Sequence, residues 1–238
     1  MSALSYNGHD FSEHVTAELV EPAGHALSPR TLAVPGRPGA VLLGSELPPR
    51  VFRVRLFLDA GVTLTAEERS AIRHELYGWL VAPMGAELSL TGEPDLTWRD
   101  AVVTGVSDWD TLFEGGSCEV EFMCFDPVAY GDGKSSAAST LTVGGTWTTW
   151  PVVTLTALAG SSAKVTDELG RYVLVERQFS AGDVVVMDFA AEAVAVDGED
   201  ASADVAVEST FFSLMPGSHT LAFSGCSAHT VEWVERWL

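Results

Sequence analysis

Apolar residues recur at every second position in one short run after another along this chain, and turn signals separate the runs. In Arg50–Leu58 the residues Phe52, Val54, Leu56 and Leu58 fall on one face, with Arg53, Arg55 and Phe57 on the other. Over 117–125, Cys118, Val120, Phe122 and Cys124 share a face opposite Glu119, Glu121 and Met123. Asp126-Pro127 ends that run, because proline has no N–H to give to a ladder. A period of two with β-branched and aromatic enrichment belongs to strands half-buried on one side. Further strands are predicted at 87–91 and 100–106, around a Gly92-Glu93-Pro94-Asp95 turn, and then at 152–158, 171–176, 183–189, 192–196, 204–207, 220–223 and 230–237. Turn signals at Gly160, Gly170, Gly182, Asp197-Gly198, Pro216-Gly217 and Gly225 punctuate the later set. Short strands at such spacing predict a mainly β chain and, in its second half, a β-sandwich.

One helix interrupts the strands. Thr65-Ala66-Glu67-Glu68 has the form of a capping box, in which the Thr65 hydroxyl accepts from the Glu68 amide while Glu68 reaches back. Ile72, Leu76, Trp79 and Leu80 then make one apolar stripe, with Arg69, Arg73 and Glu75 on the solvated side, and Pro83 stops the helix. The spacing predicts a helix over 66–81. The first fifty residues read as irregular, because Pro22, Pro29, Pro35, Pro38, Pro48 and Pro49 break any long element. A Gly/Ser/Ala-rich stretch at 130–140 reads as a linker, which places two domains at 1–133 and 134–238.

At 47% hydrophobic and 19% charged, the chain has ample apolar surface for packed cores. Its net charge of −20 is spread over both parts, with 8 basic and 20 acidic residues up to position 133 and 5 and 13 beyond it. Such a balance excludes a sequence-reading nucleic-acid binder and attraction to anionic membranes, both of which need Lys and Arg. Three cysteines make no disulfide framework, and Cys118 and Cys124, six apart on one strand, lie too far apart to bridge each other. The start, Met1-Ser2-Ala3-Leu4-Ser5-Tyr6, lacks a signal-peptide pattern and no apolar run is long enough to span a membrane, so folding in the cytosol is expected.

A search for chemistry finds little. The histidines (His9, His14, His25, His74, His219 and His229) show no metal-ligand spacing, and Cys226-Ser-Ala-His229 is half a zinc site with no second half. Asp108 and Asp110 around Trp109 could form one wall of a sugar cleft, but both carboxylates lie on one segment. Asp197-Gly-Glu-Asp200 lacks the length of a calcium loop and reads as a hairpin turn. No catalytic residue, cofactor site or metal site is expected.

Two ordered sets of motifs resemble a known family. The first runs through Pro29-Arg30, Pro35-Gly36-Arg37-Pro38-Gly39, Pro49-Arg50, the helix ending Leu76-Tyr-Gly-Trp79-Leu80, Leu88-Ser-Leu90, Glu93-Pro94-Asp95, Asp100-Ala-Val-Val103, and 118–125 closing on Asp126-Pro127-Val-Ala-Tyr130-Gly131. The second runs through Gly145-Thr146, Pro151-Val-Val-Thr-Leu155, Gly182-Asp183, Asp197-Gly198, Phe211-Phe212, Pro216-Gly217, Leu221 to Gly225, and Trp233 to Leu238. Together they resemble the distal tail (Dit-like) proteins of siphophages, while the first thirty residues depart from the pattern. The resemblance implies an N-terminal β-sandwich or split-barrel-like domain with one α-helix, followed by a C-terminal galectin-like β-sandwich. It also implies a non-enzymatic structural protein at the virion tail tip of a phage or prophage, working without a cofactor. The implied partners are five further copies in a homohexameric ring, the tail tube protein, a tail-associated fibre or baseplate protein, and a receptor-binding protein at the periphery. DNA would pass through the ring's opening without specific binding, and carboxylates lining that opening would repel phosphates.

A ring of identical subunits needs one patch to meet a different patch on its neighbour. Arg53, Arg55 and Phe57 are the candidate ring-interface residues, since arginines are few here; an intramolecular salt bridge on a solvated face is the other reading of the same residues. The rival function is a carbohydrate-binding module, with Trp147, Trp150, Trp233 and Trp237 as stacking platforms, though Trp233 and Trp237 share a strand face as core residues would. With Asn7 the only asparagine, the polar cluster of a galectin-type sugar site is missing. A hydrolase ranks third, for want of a site.

Overall fold

The structure is a computed structural model. It describes residues 4–21, 26–58, 64–90, 92–93, 95–107, 112–113 and 116–238, with Glu21 as backbone only. Asp108 and Asp110, the considered acid pair, lie outside the described residues, as do Pro22, His25, Thr91, Pro94 and Trp109. Packing divides the chain into one unit of Met1–Tyr130 with Leu238 and a second of Gly131–Trp237. Both are mainly β, and their sheets are open.

In the first unit an antiparallel sheet runs in the order β3 (Val15–Glu21), β6 (Arg50–Leu58), β9 (Ser117–Cys124), β8 (Thr97–Val106), β7 (Ala86–Ser89), β1 (Ser5–Tyr6) and β2 (His9–Asp10). The start of β8 also pairs with β10 (Ala129–Ser136) through Trp98 and Ala129. Alternation decides which face is buried. Phe52, Val54, Leu56, Cys118, Val120, Phe122 and Cys124 have almost no exposure, while the residues between them are open to solvent to varying degrees. Tyr6 is fully buried with its ring edge-on to Phe122, and its hydroxyl donates to the Ala101 carbonyl at 2.9 Å. That bond satisfies a polar group which burial would otherwise leave without a partner.

The helix α1 (Ala66–Leu80) begins at the expected cap: the Glu68 amide donates to Thr65 Oγ1 at 3.2 Å, and the Thr65 amide donates to Glu68 Oε2 at 2.8 Å. The Thr65 amide and, at 2.9 Å, the Thr65 hydroxyl both donate to the Glu68 carboxylate and hold it below its ordinary range. Leu76, Trp79 and Leu80 are buried and Ile72 half-buried. The helix ends at Leu80, one residue short of the expectation. Arg73 is not on the solvated side; it is half-buried, with its guanidinium 5.4 Å from the Phe113 ring centre. Two imidazoles, His9 at 4.9 Å and His14 at 5.3 Å, stack on Trp79, and Phe11 meets it edge-on.

The described part of the first fifty residues is not irregular. It carries β1, β2, β3 and a hairpin of β4 (Ser28–Ala33) and β5 (Ala40–Glu46). Of the prolines that predict irregular chain, Pro35 serves the hairpin turn: Pro35 and Gly36 are its central residues, Gly36 has φ 81°, and the Arg37 amide donates to the Val34 carbonyl at 3.1 Å. Proline followed by a positive-φ glycine is the chemistry of a type II turn.

In the second unit, one sheet orders β17 (Glu199–Asp200), β16 (Ala193–Val196), β15 (Val184–Asp188), β12 (Val152–Ala157) and β20 (Cys226–Trp237). Another orders β14 (Tyr172–Phe179), β13 (Gly160–Thr166) and β19 (Ala222–Ser224), and β11 (Thr140–Val143) pairs with β18 (Gly217–Thr220). Inward residues of all three layers, among them Leu141, Val153, Leu155, Val165, Val173, Val185, Met187, Phe189, Phe212 and Val231, form one buried cluster, so this unit is a sandwich. Asp197 (φ 50°) and Gly198 (φ 84°) make the two-residue turn between β16 and β17, as Asp-Gly predicts.

Two strand expectations fail here. Residues 204–207 are not a strand: the Asp204 and Val205 amides donate back to Ala201 and Ser202 and close a short 3-10 turn, and Val207 is 97% exposed. The run 220–223 is two strands, broken at buried Leu221, where the chain leaves the β11 ribbon for the β13 sheet.

Candidate assembly surfaces

Arg53, Arg55 and Phe57 lie on the outward face of β6, which runs between β3 and β9. Register sets Arg53 opposite Glu121 and Arg55 opposite Glu119. Arg53 Nε lies 3.3 Å from Glu121 Oε2, and Arg55 Nε donates to Glu119 Oε1 at 3.1 Å. The Glu119 carboxylate, with a smaller contribution from Glu18, holds the Arg55 guanidinium above its ordinary range. Thr104 Oγ1 donates to Glu121 Oε1 at 3.0 Å and so helps to hold that carboxylate, while the Glu119 backbone amide donates to Ser107 Oγ at 2.8 Å. The result is a cross-strand ladder of exposed ion pairs, which solvent screening leaves with little weight in stability. Phe57 is half-buried and borders a cleft of about 700 Å³ with His14, Arg69, Ile72, Leu112 and Phe113. His14 in that cleft is paired with Glu75 at 3.0 Å. Among the described residues no cluster of His, Cys, Asp or Glu could hold a metal ion.

A second surface escaped the sequence reading. Every residue from Ser28 to Glu46 is exposed except Val41, which is half-buried. Leu32 is 52% exposed and Leu42 and Leu43 are 64% exposed, so the β4–β5 hairpin turns apolar side chains to solvent. Its charged residues are Arg30, which pairs with Glu46, and Arg37 at the turn. Two arginines against one glutamate make it a basic and apolar arm on a strongly acidic chain. The signal for it was present in two short apolar runs flanking Pro35-Gly36.

The tryptophans give a sugar little to stack on. Trp233 is 7% exposed and packs in the sandwich core, and Trp147 and Trp237 are half-buried. Trp150 is 40% exposed, with the Arg236 guanidinium 5.1 Å from its ring centre. Cys226 lies in β20, and His229 stacks on Phe223 at 3.8 Å, so that pair converges on no metal.

Two family profiles match the chain. One, described as the phage tail protein RIFT-related domain, covers residues 7–124; the other, the siphovirus-type tail component C-terminal domain, covers 144–237. The chain belongs to the siphovirus-type, Dit-like tail components. Among solved structures, this tail component is similar to Dit (gp 19.1) of phage SPP1, described as a paradigm of the hub adsorption apparatus in phages infecting Gram-positive bacteria. The TM-score is 0.84 at 17% identity, over 99% of both chains. It also aligns with a chain of the phage P2 baseplate in its activated conformation with calcium, at a TM-score of 0.48 and 10% identity, over 92% of this chain and 90% of that one. No curated protein matches it by sequence. Among the described residues no helix is long and apolar enough to cross a membrane.

Proposed function

We propose that this tail component is a hub subunit of the tail tip. Six copies close into a ring between the tail tube protein and a fibre or baseplate protein, with a receptor-binding protein held at the periphery. Its work is assembly, with no bond made or broken, and DNA passes through the opening without being bound. The observation that carries this reading is the exposed β4–β5 hairpin, in a chain whose fold matches the SPP1 hub protein along its whole length. A heterologous contact needs a projecting patch and a different receiving patch. A basic, apolar arm and an acidic body on the same chain supply both. Covering Leu32, Leu42 and Leu43 would contribute roughly 1 kcal/mol each, from the apolar area removed from water. The ladder of Arg53–Glu121 and Arg55–Glu119, with Phe57 beside it, is the second proposed contact: exchange of these pairs with a neighbour's carboxylates needs no new charges.

Size-exclusion chromatography with light scattering tests both contacts. The wild-type chain is expected near six times 25.3 kDa. Changing Leu32, Leu42 and Leu43 together to Ser is expected to release single chains, and Arg53→Glu with Arg55→Glu to weaken the ring. A wild-type protein that stays single at every concentration overturns the hub. An assembly indifferent to Arg53→Glu with Arg55→Glu removes the ladder from the interface.

A further inference from the structure

His219 is the third residue of β18, and both of its ring nitrogens face acceptors. Nδ1 lies 2.7 Å from Glu168 Oε1, and Nε2 lies 2.6 Å from the Met215 carbonyl oxygen. A neutral imidazole carries one N–H and can donate to one of these; the cation donates to both. Glu168 belongs to the turn between β13 and β14, and its second oxygen accepts from the Thr220 amide at 3.3 Å. One carboxylate therefore ties that turn to β18 at two points. Burial alone would raise the Glu168 carboxyl, but hydrogen bonds from its own amide, the His219 ring and the Thr220 amide outweigh it and hold the group below its ordinary range. It remains an acceptor across the pH range in which imidazoles titrate.

Few other charges face the ring. On the same turn Asp167 and Arg171 are paired with each other at 2.7 Å. The strand β11, whose Leu141 lies opposite His219, carries no ionisable side chain, and neither does the segment 211–216. Among the described residues, Glu168 is the charge paired with His219.

We infer that Glu168, His219 and the Met215 carbonyl form a proton-operated pin, which joins the β13–β14 turn to β18 when the ring carries two protons and releases one side when it carries one. The joined segments each expose an apolar side chain, Leu169 at 74% and Met215 at 63%. The pin therefore sets how these two are presented at this end of the sandwich, and acidity sets the pin. The sign follows from the geometry: the doubly protonated ring makes one more hydrogen bond in the pinned form, so the pin tightens as pH falls through the imidazole range and loosens as pH rises.

Amide hydrogen exchange of the full chain at pH 5.5 and 7.5, corrected for the intrinsic pH dependence of exchange, tests this. Residues 167–171 and 215–220 are expected to lose about five-fold in protection at the higher pH, the size of one net hydrogen bond of about 1 kcal/mol. Strands β12 and β15 should be unchanged and serve as the folding control. In His219→Gln, and independently in Glu168→Gln, the pH dependence of those two segments should vanish while the control strands stay protected. Equal corrected protection at both pH values in the wild type overturns the pin, and so does a pH dependence that survives in His219→Gln.

Discussion

In the second unit Val153, Leu155, Val165, Val173, Val185 and Met187 have no exposure, because each strand has a partner sheet to face. In the first unit the β4–β5 hairpin holds Leu32, Leu42 and Leu43 more than half open to water. The same kind of residue is thus spent inside the molecule in one place and left outside in another. Burying an aliphatic side chain stabilises by roughly 1.5–3 kcal/mol, so an arm that forgoes this is intelligible when something else covers it. The Arg53 and Arg55 ladder lies between these extremes, exposed but already partnered within its own sheet.

Several measurements would break or sharpen that contrast. The largest effect is expected in the cysteines, where the units also differ. Burial pushes the Cys118 and Cys124 thiols of the first unit up to about 12, while the half-buried Cys226 of the second is raised less. At pH 8 a thiol moved from about 9 to about 12 has about a thousandfold less reactive thiolate, since each pH unit is tenfold. Native protein should therefore give a thiol reagent Cys226 first, and the other two only on unfolding. Fast reaction of all three would show that water reaches the buried face of the first unit's sheet.

Next in size, Phe212→Ala removes a core ring that packs on Phe189 at 4.6 Å and should lower unfolding free energy by about 3–5 kcal/mol in urea titration. Asp167→Ala should cost about 2–3 kcal/mol. Its carboxylate accepts from the Leu169 amide at 3.0 Å, the Arg171 amide at 2.8 Å and Arg171 Nε at 2.7 Å, and the change strands those donors. The smallest effect belongs to the hairpin: Leu42→Ser with Leu43→Ser should change single-chain stability by less than about 0.5 kcal/mol per site, as for exposed positions elsewhere. A large loss there would mean that the arm is already packed within its own chain.

Much of the fold was legible because burial writes itself into alternation. β6 and β9 could be read from Phe52 to Leu58 and from Cys118 to Cys124, since one face is buried and the other is not. The helix could be read from Thr65 and Glu68, whose bonds are local. The hairpin has a weaker signal, two short apolar runs around Pro35-Gly36, because neither of its faces is buried in the single chain and its alternation carries no in-and-out contrast. β13, with Gly160, Ser161 and Ser162 at its start, looked like a turn although Ala163 and Val165 are wholly buried. At the candidate surface, pattern placed Arg53 and Arg55 on the outer face of their strand and Glu119 and Glu121 on the outer face of theirs. That the two rows meet is a matter of register between strands far apart in sequence, and no local pattern records it.

The direct test of the central claim is whether a second copy covers the hairpin. Equal amounts of chain at natural and heavy nitrogen abundance would be mixed, each carrying a photoreactive leucine at position 42, and cross-linked in dilute solution. The account predicts cross-linked peptides joining residues 28–46 of one isotope to an acidic surface of the other. Hairpin cross-links found only within one isotope, or absent altogether, would contradict it.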